Sequence, residues 1–345
     1  MRKILLASCI AALACASASA WNAHGHRTVT YLALDGLPSE MPQWLRETEV
    51  RDRCAYQSNE PDRWRAVRLP ALDHLNSPEH FIDLEMLADY GLTVETLPRL
   101  RRDFLVAMAI ARHEHPEMAY DRSEDPAGKY EWPGFLPHAI TEQYAVLVSS
   151  FNTYRTLVEL DDPARAAQLE MAKENIIHHM GVMSHFVADA AQPLHTTIHH
   201  HGWVGENPNG YTTDFGFHAY IDGAILEIHE LDYASLRPLV TFDREVNQDD
   251  PWQDVMDHIV RSFDEMERLY RLDRDGDLVK GEGKRFIEKR LVDGASMLSA
   301  LYAAAWRASE PSPRDIDGFV KYNDFDPSQL PGRERPQRAV DAGEN

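Results

Sequence analysis

Two His–Asp pairs with the same spacing constrain this chain more than any other feature of its sequence. His185 precedes Asp189 by four residues, and His218 precedes Asp222 by the same step. On a helix this spacing places an imidazole and a carboxylate on one face, where a rigid element can present both to one metal ion. A proline then ends the first helix and leaves His195 just beyond it. The two pairs and His195 predict a site for more than one metal ion.

Residues 1–20 have the pattern of a secretory signal peptide. Arg2 and Lys3 are followed by an apolar stretch and then by the small residues at 18–20. Cleavage after Ala20 would make Trp21 the first residue of the mature protein, and its free amino group and carbonyl oxygen would become potential metal ligands. In the simpler alternative, Trp21 is only the point at which the export segment ends. We expect a periplasmic or secreted protein without a transmembrane anchor after cleavage.

Apolar residues recur at steps of three and four along most of the chain, which is the pattern of amphipathic helices. Alternating stretches are few, so we expect an all-α protein without a sheet. The predicted helices span residues 28–37, 97–113, 139–157, 164–191, 217–228, 252–272 and 284–308. The segment 21–310, about 290 residues, suits one domain around a single core. Residues 311–345 are rich in proline and charge, and we expect a poorly ordered tail there.

The charge balance is strongly acidic, with a formal net charge of −21 that becomes −23 when Arg2 and Lys3 leave with the signal peptide. This composition excludes a broad basic surface for tight duplex binding, so contacts with nucleic acid would be local, at the metals and by base stacking. Cys9 and Cys15 also leave with the signal peptide, so Cys54 has no partner for an intramolecular disulfide. We expect Cys54 to be buried or to pair between chains, without a catalytic role.

Three further features resemble functional motifs but have simpler explanations. The segment 273–277 resembles a calcium loop, but its glycine is misplaced and Lys284 stands where the bidentate glutamate belongs, which favours a solvated turn. The histidines at 199–201 are expected to belong to a loop. His178 lies seven residues before His185 and could support the ligands from behind, but a packed or surface histidine is favoured.

Six short motifs occur along the chain in a characteristic order. They are Trp21-Asn-Ala-His-Gly-His26, Asp62-Arg-Trp-Arg65, His80-Phe-Ile-Asp83, His185-x3-Asp189, Gln192-Pro-Leu-His195 and His218-x3-Asp222. In this combination the chain resembles the trinuclear zinc phosphoesterases, the superfamily that unites the single-strand-specific nucleases of the S-one/P-one family with bacterial zinc phospholipase C. The resemblance extends from Trp21 to the apolar helix that ends near Trp306. It implies a single-domain helical phospholipase C/nuclease fold with a metal site in a central cleft.

The resemblance also implies three Zn²⁺ ions and their ligands. The first ion would be held by Asp62, His80, His185 and Asp189. The second would be held by the Trp21 amine and carbonyl, His26 and the other oxygen of Asp189, which would bridge the two ions. The third would be held by His195, His218 and Asp222. Nine residues would therefore supply all three sites.

Such a site suits phosphodiester hydrolysis on chemical grounds. A phosphodiester is anionic, so the catalyst must generate hydroxide near neutral pH, neutralise phosphoryl oxygens and stabilise the leaving alkoxide. Two zinc ions that share a carboxylate lower the pKa of a bridging water towards 7, and the third can bind the leaving oxygen. Asp62, Arg65 and Asp189 are then the expected catalytic residues. Arg65 would lie one turn after Asp62 on a helix and could clamp a phosphoryl oxygen, with an ordinary surface arginine as the alternative.

The resemblance leaves two substrate classes open. In the nuclease branch, residues that match Phe81 and Asp83 stack on and hydrogen-bond a nucleobase, and the last ligand is an aspartate, as at Asp222. These matches favour single-stranded DNA or RNA as the substrate, with nucleoside 5′-phosphates as products and 3′-nucleotidase activity. A phospholipase C acting on phosphatidylcholine-type lipids is the alternative. Two features favour the phospholipase C. The glycine-rich loop at 202–210 resembles some bacterial members of that branch, and Phe81 could be a core aromatic residue instead of a base-stacking one.

A non-catalytic exported zinc-binding or adhesion protein is a more remote alternative, and it predicts bound metal without turnover. No stable protein partner is implied by the sequence. The segment 84–173 is longer than its equivalent in the compact nucleases and includes a loop around 121–133. We expect this insertion to reshape the substrate groove.

Overall fold

Helices form the framework of the described chain, which comprises residues 21–115 and 131–324 of a computed structural model. The α-helices are α1 (Ala23–Asp35), α2 (Thr48–Gln57), α3 (Glu60–Ala66), α4 (Pro70–Asn76), α5 (Arg101–Glu114), α6 (Leu136–Leu160), α7 (Ala166–Ala191), α8 (Phe217–Ala219), α9 (Ile225–Ile228), α10 (Tyr233–Leu236), α11 (Trp252–Phe263), α12 (Met266–Arg274), α13 (Gly281–Ala308) and α14 (Pro313–Asn323). Short 3-10 helices span Gln43–Arg46, Ser77–His80, Leu84–Tyr90, Pro163–Arg165, Pro193–His195 and Arg237–Leu239, and Tyr220–Ala224 is a π-helical turn. Within these residues there is no β-strand, only isolated bridges that join 82 to 134 and 200 to 202. The predicted all-α fold class is confirmed.

Five of the seven predicted helices appear as single helices, namely α1, α5, α6, α7 and α13. The predicted helix at 217–228 is helical but contains the π turn, and the predicted helix at 252–272 is divided into α11 and α12 by a turn at 264–265. The short helices α2 to α4 were not predicted. In α2 only Val50, Cys54 and Ala55 are buried, so its sequence carries too few apolar positions to show a helical period. The predicted signal peptide and residues 121–130 of the predicted loop lie outside the described residues.

Helix α7 lies at the centre of the fold. Every residue from Met180 to Ala191 is buried, and α7 packs against α1, α2, α6, α11 and α13. Tyr302 on α13 donates its hydroxyl to the carbonyl oxygen of Met180 at 2.7 Å. Neither α7 nor any other described helix is long and apolar enough to cross a membrane. Because they are buried, the last turns of α7, which carry His185 and Asp189, lie in the protein interior.

Helix α2 approaches α7 most closely at Gly181. A Cβ atom at this position would lie 2.3 Å from the Cβ of Gln57 and 2.8 Å from the carbonyl oxygen of Cys54. A larger residue would push the two helices apart. The close approach brings the residue after α2, Ser58, within hydrogen-bond distance of His185, one turn after Gly181.

An extended segment, residues 81–83, passes beside the end of α7. The backbone N–H of Ile82 donates to the carbonyl oxygen of His195 at 2.9 Å. Gly134 lies against the other side of this segment with a φ of 96°, and a Cβ atom there would come within 2.1 Å of the Phe81 carbonyl oxygen. The segment is thus held between the turn after α7 and the start of α6, which fixes the residues at both of its ends.

The chain after α13 differs from the disordered tail expected from residue 311. Residues 313–323 form α14, which begins with a proline and a capping box in which Ser312 and Asp315 bond each other's backbone N–H groups. The guanidinium of Arg165 lies 5.7 Å from the ring centroid of Phe319. The capping box and this contact stabilise α14, although the high proline and charge content of residues 311–345 suggested disorder. Residues 325–345 lie outside the described residues.

Candidate metal centre

Eight His and Asp side chains form three groups in the interior, and each group could hold a metal ion. The groups are His26, His185 and Asp189, then Asp62, His80 and His185, and finally His195, His218 and Asp222. In every group the potential ligand atoms lie within 4.8 Å of one another, and all of these residues except Asp62 are buried. His185 belongs to two groups, so two of the potential sites are neighbours. The structure therefore brings together all eight side chains that the sequence predicted as ligands.

Asp189 lies between two of the groups. Its Oδ1 is 3.4 Å from His26 Nε2. Its Oδ2 is 3.1 Å from His80 Nδ1 and 3.4 Å from His185 Nε2. The two oxygens of one carboxylate thus face ligand atoms of different groups, which is the arrangement of a carboxylate that can bridge two ions.

The third group has the dimensions of a metal coordination site. His218 Nε2 lies 3.2 Å from Asp222 Oδ2 and 3.0 Å from His195 Nε2. Ligand atoms about 2.0–2.1 Å from a tetrahedral zinc ion are roughly 3.3 Å apart. The distances in this group, and those around Asp189, are close to that separation.

Local helix geometry explains both His–Asp pairs. His185 and Asp189 are separated by one turn of α7, as the spacing predicted. His218 lies in α8, and Asp222 lies in the π turn Tyr220–Ala224 that follows. Single π turns of this kind are frequently found at functional sites. Here the π turn retains the His–Asp contact.

Backbone carbonyls orient two of the imidazoles. His185 Nδ1 donates to the carbonyl oxygen of Ser58 at 2.7 Å, and His195 Nδ1 donates to the carbonyl oxygen of His80 at 2.5 Å. A carbonyl oxygen only accepts, so the proton of each neutral ring must be on Nδ1. This leaves the lone pair of Nε2 directed at the other ligands, which is the form that binds a metal ion.

Burial sets the charge of these groups. Burial raises the pKa of Asp189 well above its ordinary value, and the nearby carboxylate of Asp62 raises it further. Burial likewise raises the pKa of Asp222, while it lowers the pKa of His195 to about 4 and that of His185 well below its usual range. Neutral imidazoles provide no positive charge to balance ionised carboxylates in the interior. A divalent cation would supply that charge.

Three buried atoms that face other ligands have no hydrogen-bond partner among the described residues. They are His26 Nε2, Asp189 Oδ1 and Asp222 Oδ2. Leaving a buried polar atom unbonded costs free energy. Imidazole nitrogen and carboxylate oxygen are the donor types that zinc binds. The donor set and its unsatisfied atoms therefore fit metal ions.

Trp21 lies beside this centre. Its side chain is completely buried, and its indole Nε1 donates to the carbonyl oxygen of Ala188 at 3.1 Å. The N–H of Asn22 donates to the backbone carbonyl oxygen of Asp222 at 2.8 Å. The backbone of residue 21 is thus held next to two segments that carry ligand carboxylates. Metal binding by a free amine at Trp21 remains a prediction.

Arg65 lies one turn after Asp62 on α3, as predicted for a helical segment. Its Nη2 donates to Asp62 Oδ1 at 2.8 Å, and that oxygen lies 3.9 Å from His185 Nε2. The Arg65 and Asp62 side chains are 19% and 15% exposed, respectively. Next to burial, the Arg65 guanidinium is the main cause that lowers the pKa of His80. Arg65 is therefore a cation at the edge of the centre that retains access to solvent.

The predicted base-binding residues differ in accessibility. Phe81 is half-buried, and its ring centroid lies 6.3 Å from that of His200. Asp83 is completely buried, burial raises its pKa, and its Oδ1 lies 3.7 Å from His200 Nδ1. Phe81 therefore retains partial access to solvent, whereas the Asp83 carboxylate is enclosed and lies close to His200.

The loop histidines form part of the wall around the third group. His199 stacks on Trp203 at 3.9 Å between ring centroids. His201 stacks on Phe215 at 4.3 Å, and its ring centroid lies 5.5 Å from that of His218. These residues belong to a loop, as the sequence indicated. The loop is nevertheless in contact with a predicted metal ligand.

Gln192 supports the predicted ligand Asp222, a role that was not predicted from the sequence. Gln192 is completely buried, its Nε2 donates to Asp222 Oδ1 at 2.8 Å, and its Oε1 accepts from the N–H of Leu194 at 2.6 Å. Its position inside the motif that ends at His195, directly after two buried alanines, is the only sequence signal for this role. The Ser58 and His80 carbonyls that orient imidazoles have no side-chain signal at all.

Cys54, His178 and the segment 273–277 are not members of the three groups. Cys54 is buried, which excludes pairing between folded chains, and burial raises the pKa of its thiol to about 12. His178 Nδ1 lies 3.2 Å from Gln57 Oε1. The segment 273–277 covers the end of α12 and the turn that follows it, and Lys280 pairs with Asp277 at 2.8 Å.

The chain was compared with family models, with curated proteins and with solved structures, and none of the three comparisons found a significant match. A functional assignment therefore depends on the site.

Proposed function

We propose that this chain is an exported zinc-dependent phosphoesterase, specifically a single-strand nuclease with 3′-nucleotidase activity that releases 5′-phosphates. The order of motifs that resembles the trinuclear zinc phosphoesterases supports this assignment. The position of Asp189 carries it, because the two oxygens of this carboxylate face ligand atoms of two neighbouring groups. A single structural ion needs no shared carboxylate, whereas two-metal hydrolysis uses one.

The proposed ligand sets divide nine residues among three zinc ions. One ion would be held by Asp62, His80, His185 and Asp189, another by the Trp21 amine and carbonyl, His26 and Asp189, and the third by His195, His218 and Asp222. When bound, zinc would supply Lewis acidity that generates hydroxide near neutral pH and neutralises charge on a phosphoryl oxygen. The chain orients the ligands through the Ser58 carbonyl, the His80 carbonyl and Gln192.

Arg65 and Phe81 would position the substrate. Arg65 uses one guanidinium N–H for Asp62 and has further N–H groups with which to bind a non-bridging phosphoryl oxygen. Phe81 is half-buried on a segment bonded to His195, so a nucleobase stacked on its ring would lie beside the scissile phosphate. Asp83 would hydrogen-bond that base after His200 moves aside.

A phospholipase C is the second candidate because apolar side chains are exposed near the centre. Val67, Leu69 and Leu75 are 59%, 56% and 51% exposed and lie on α4 or on the connection from α3, the helix that carries Asp62 and Arg65. Apolar residues at the mouth of a site can insert into a lipid surface. These aliphatic side chains cannot stack on nucleobases as aromatic rings do, so they would not assist a nuclease.

A side-by-side assay separates these candidates. Zinc-loaded mature protein is incubated with single-stranded DNA, RNA, 3′-AMP and phosphatidylcholine vesicles. We expect hydrolysis of the nucleic acids and 3′-AMP, loss of activity with chelator and recovery with zinc. Cleavage of vesicles alone, weakened by the Val67→Ser/Leu69→Ser double variant, would establish the lipase. Zinc content without turnover on any substrate would establish a binding protein.

Elemental analysis tests the centre without using activity. His195→Asn should reduce the zinc content by one ion per chain, since it removes a ligand of the third group. His113→Asn provides the matched control, because His113 is an exposed histidine on α5. Equal zinc content in the two variants would contradict the proposed ligand set.

Export and the amine ligand can be tested together. Mass spectrometry of the mature protein should show Trp21 as its first residue. A glycine inserted before Trp21 moves the free amine away from the centre, and the resulting protein should bind one zinc ion more weakly. Wild-type zinc affinity with that extra residue would refute the role of the amine.

A further inference from the structure

We propose that a second anion site, separate from the metal centre, lies among helices α11, α12 and α13 and binds a phosphate group. A cavity of about 420 Å³ is present there. Its lining includes five basic side chains and three acidic ones, namely Arg261, Arg268, Arg271, Lys289, Arg290, Asp264, Glu265 and Asp293. No predicted metal ligand lines this cavity. The phosphoesterase proposal assigns it no role, so the two sites can be tested separately.

The excess of basic residues is unusual for this chain, which has 56 acidic residues and 35 basic ones. A cavity lined at random would be expected to be acidic. Positive charges that face one another repel, and they persist together only where counter-charges compensate them. The cavity therefore has the charge of a site for an anion.

The carboxylates of the cavity compensate only part of this charge. Glu265 is shared between Arg268, at 3.4 Å, and Lys289, at 3.9 Å. Within residues 21–115 and 131–324, neither Arg261 nor Arg271 forms an ion pair. Two guanidinium groups are thus available to a ligand at the cavity surface.

Arg290 provides an independent observation. It is only 3% exposed, and its Nε is buried without a hydrogen-bond partner among the described residues. Asp293 Oδ2 accepts from another nitrogen of the same guanidinium at 2.7 Å. Burial lowers the pKa of Arg290, while the nearby carboxylate of Asp293 raises it. Because arginine does not lose its proton in proteins, Arg290 remains charged, and an anion in the cavity would add to the compensation that Asp293 provides.

A phosphate group fits this lining better than a carboxylate. Guanidinium groups bind phosphate through paired N–H donors, and a phosphate monoester carries up to two charges where a carboxylate carries one. The ring of Phe286 supports Arg268 and Arg290, whose guanidinium carbons lie 5.5 Å and 6.0 Å from its centroid. The cavity volume lies within the usual range for small-molecule sites, so it can take inorganic phosphate or the phosphate end of a nucleotide.

Equilibrium dialysis tests this site on the zinc-loaded mature protein at fixed ionic strength. Labelled inorganic phosphate and 5′-AMP are the two probes. In Arg261→Gln/Arg268→Gln we expect binding to this site to weaken about tenfold or more. In Asp222→Asn, which alters the metal centre, we expect binding to this site to persist. The relative affinity of the two probes then identifies free phosphate or a nucleotide as the ligand.

Two further variants make the outcome decisive. Asp264→Asn removes a cavity carboxylate that is exposed, and it should tighten phosphate binding, which a purely structural ion-pair network would not predict. Arg102→Gln is the control, because Arg102 is 81% exposed on α5. Circular dichroism verifies folding of each variant. Unchanged phosphate binding in folded Arg261→Gln/Arg268→Gln, or loss of all phosphate binding in Asp222→Asn, would overturn the proposal.

Discussion

Replacing Asp189 by asparagine tests the shared metal centre, because the two side chains have nearly the same shape. The substitution removes one negative charge and one oxygen while it leaves α7 in place. The Asp189 oxygens lie 3.4 Å from His26 Nε2 and 3.1 Å from His80 Nδ1. One substitution therefore weakens two predicted zinc sites.

We expect Asp189→Asn to have opposite effects on stability with and without zinc. In the metal-free protein Asp189 is completely buried and its Oδ1 has no partner among the described residues. A neutral amide should then raise the free energy of unfolding by about 1–3 kcal/mol. In the zinc-loaded protein, a loss of about 100-fold in affinity at each of two sites would cost about 5 kcal/mol. After the gain is subtracted, the loaded variant should be about 2–4 kcal/mol less stable than the wild type.

Denaturant unfolding in excess chelator and in excess zinc measures both effects. Elemental analysis of zinc-loaded protein after dialysis should show about one zinc ion in the variant, against three in the wild type. Hydrolysis of 3′-AMP should fall at least 100-fold, since each unit of 1.4 kcal/mol corresponds to a factor of ten. A stability change of the same sign in both solutions, or wild-type zinc content and turnover, would refute a bridging role for Asp189.

Three further predictions concern stacking, ligand support and pH. Phe81→Ala should raise the KM for 3′-AMP roughly 5- to 150-fold, because a stacked base contributes about 1–3 kcal/mol, and an unchanged KM would exclude stacking. Gln192→Leu should weaken the third zinc site about 10- to 100-fold in a competition titration by releasing Asp222, whereas equal affinity would show that this hydrogen bond does not position the ligand. Burial lowers the pKa of His138 to about 4, and its Nε2–H donates to the Pro98 carbonyl oxygen at 2.8 Å. Because the unfolded chain takes up this proton first, stability present above pH 6.5 should be lost as the pH falls towards 4, by up to about 3 kcal/mol. Chelated His138→Gln should show a shallower pH dependence of unfolding than chelated wild type, and parallel curves would contradict the shift.

The long helices could be predicted because burial imposes a helical period on the sequence. Helices α6, α7 and α13 each bury a continuous apolar surface, and their predicted ends differ from the observed ends by three residues or fewer. Short helices that bury few residues, such as α2 and α3, carry no such period. The division between α11 and α12 was missed because apolar positions remain in phase across it.

The grouping of the His and Asp side chains could be predicted because metal sites restrict residue type and spacing. His–x3–Asp appears in the sequence as a pattern and in α7 as one helical turn. The groups that hydrogen-bond to the predicted ligands could not be predicted from the sequence. Ser58 and His80 act through backbone carbonyls, which every residue possesses, so only the folded chain shows which of them face an imidazole. The burial of Asp83 beneath His200 likewise depends on a loop whose course the sequence does not reveal.

The interior position of α7 also explains why the ligand pattern is informative. From Met180 to Ala191 the helix is buried on all sides, so His185 and Asp189 lie where an uncompensated carboxylate costs several kcal/mol. Natural sequences rarely keep such a conflict between residue type and environment unless function requires it. A bound cation would resolve the conflict at Asp189, whose Oδ1 has no hydrogen-bond partner among the described residues. The same reasoning applies to Arg290. Its charge is buried like that of Asp189, and its Nε has no hydrogen-bond partner among the described residues.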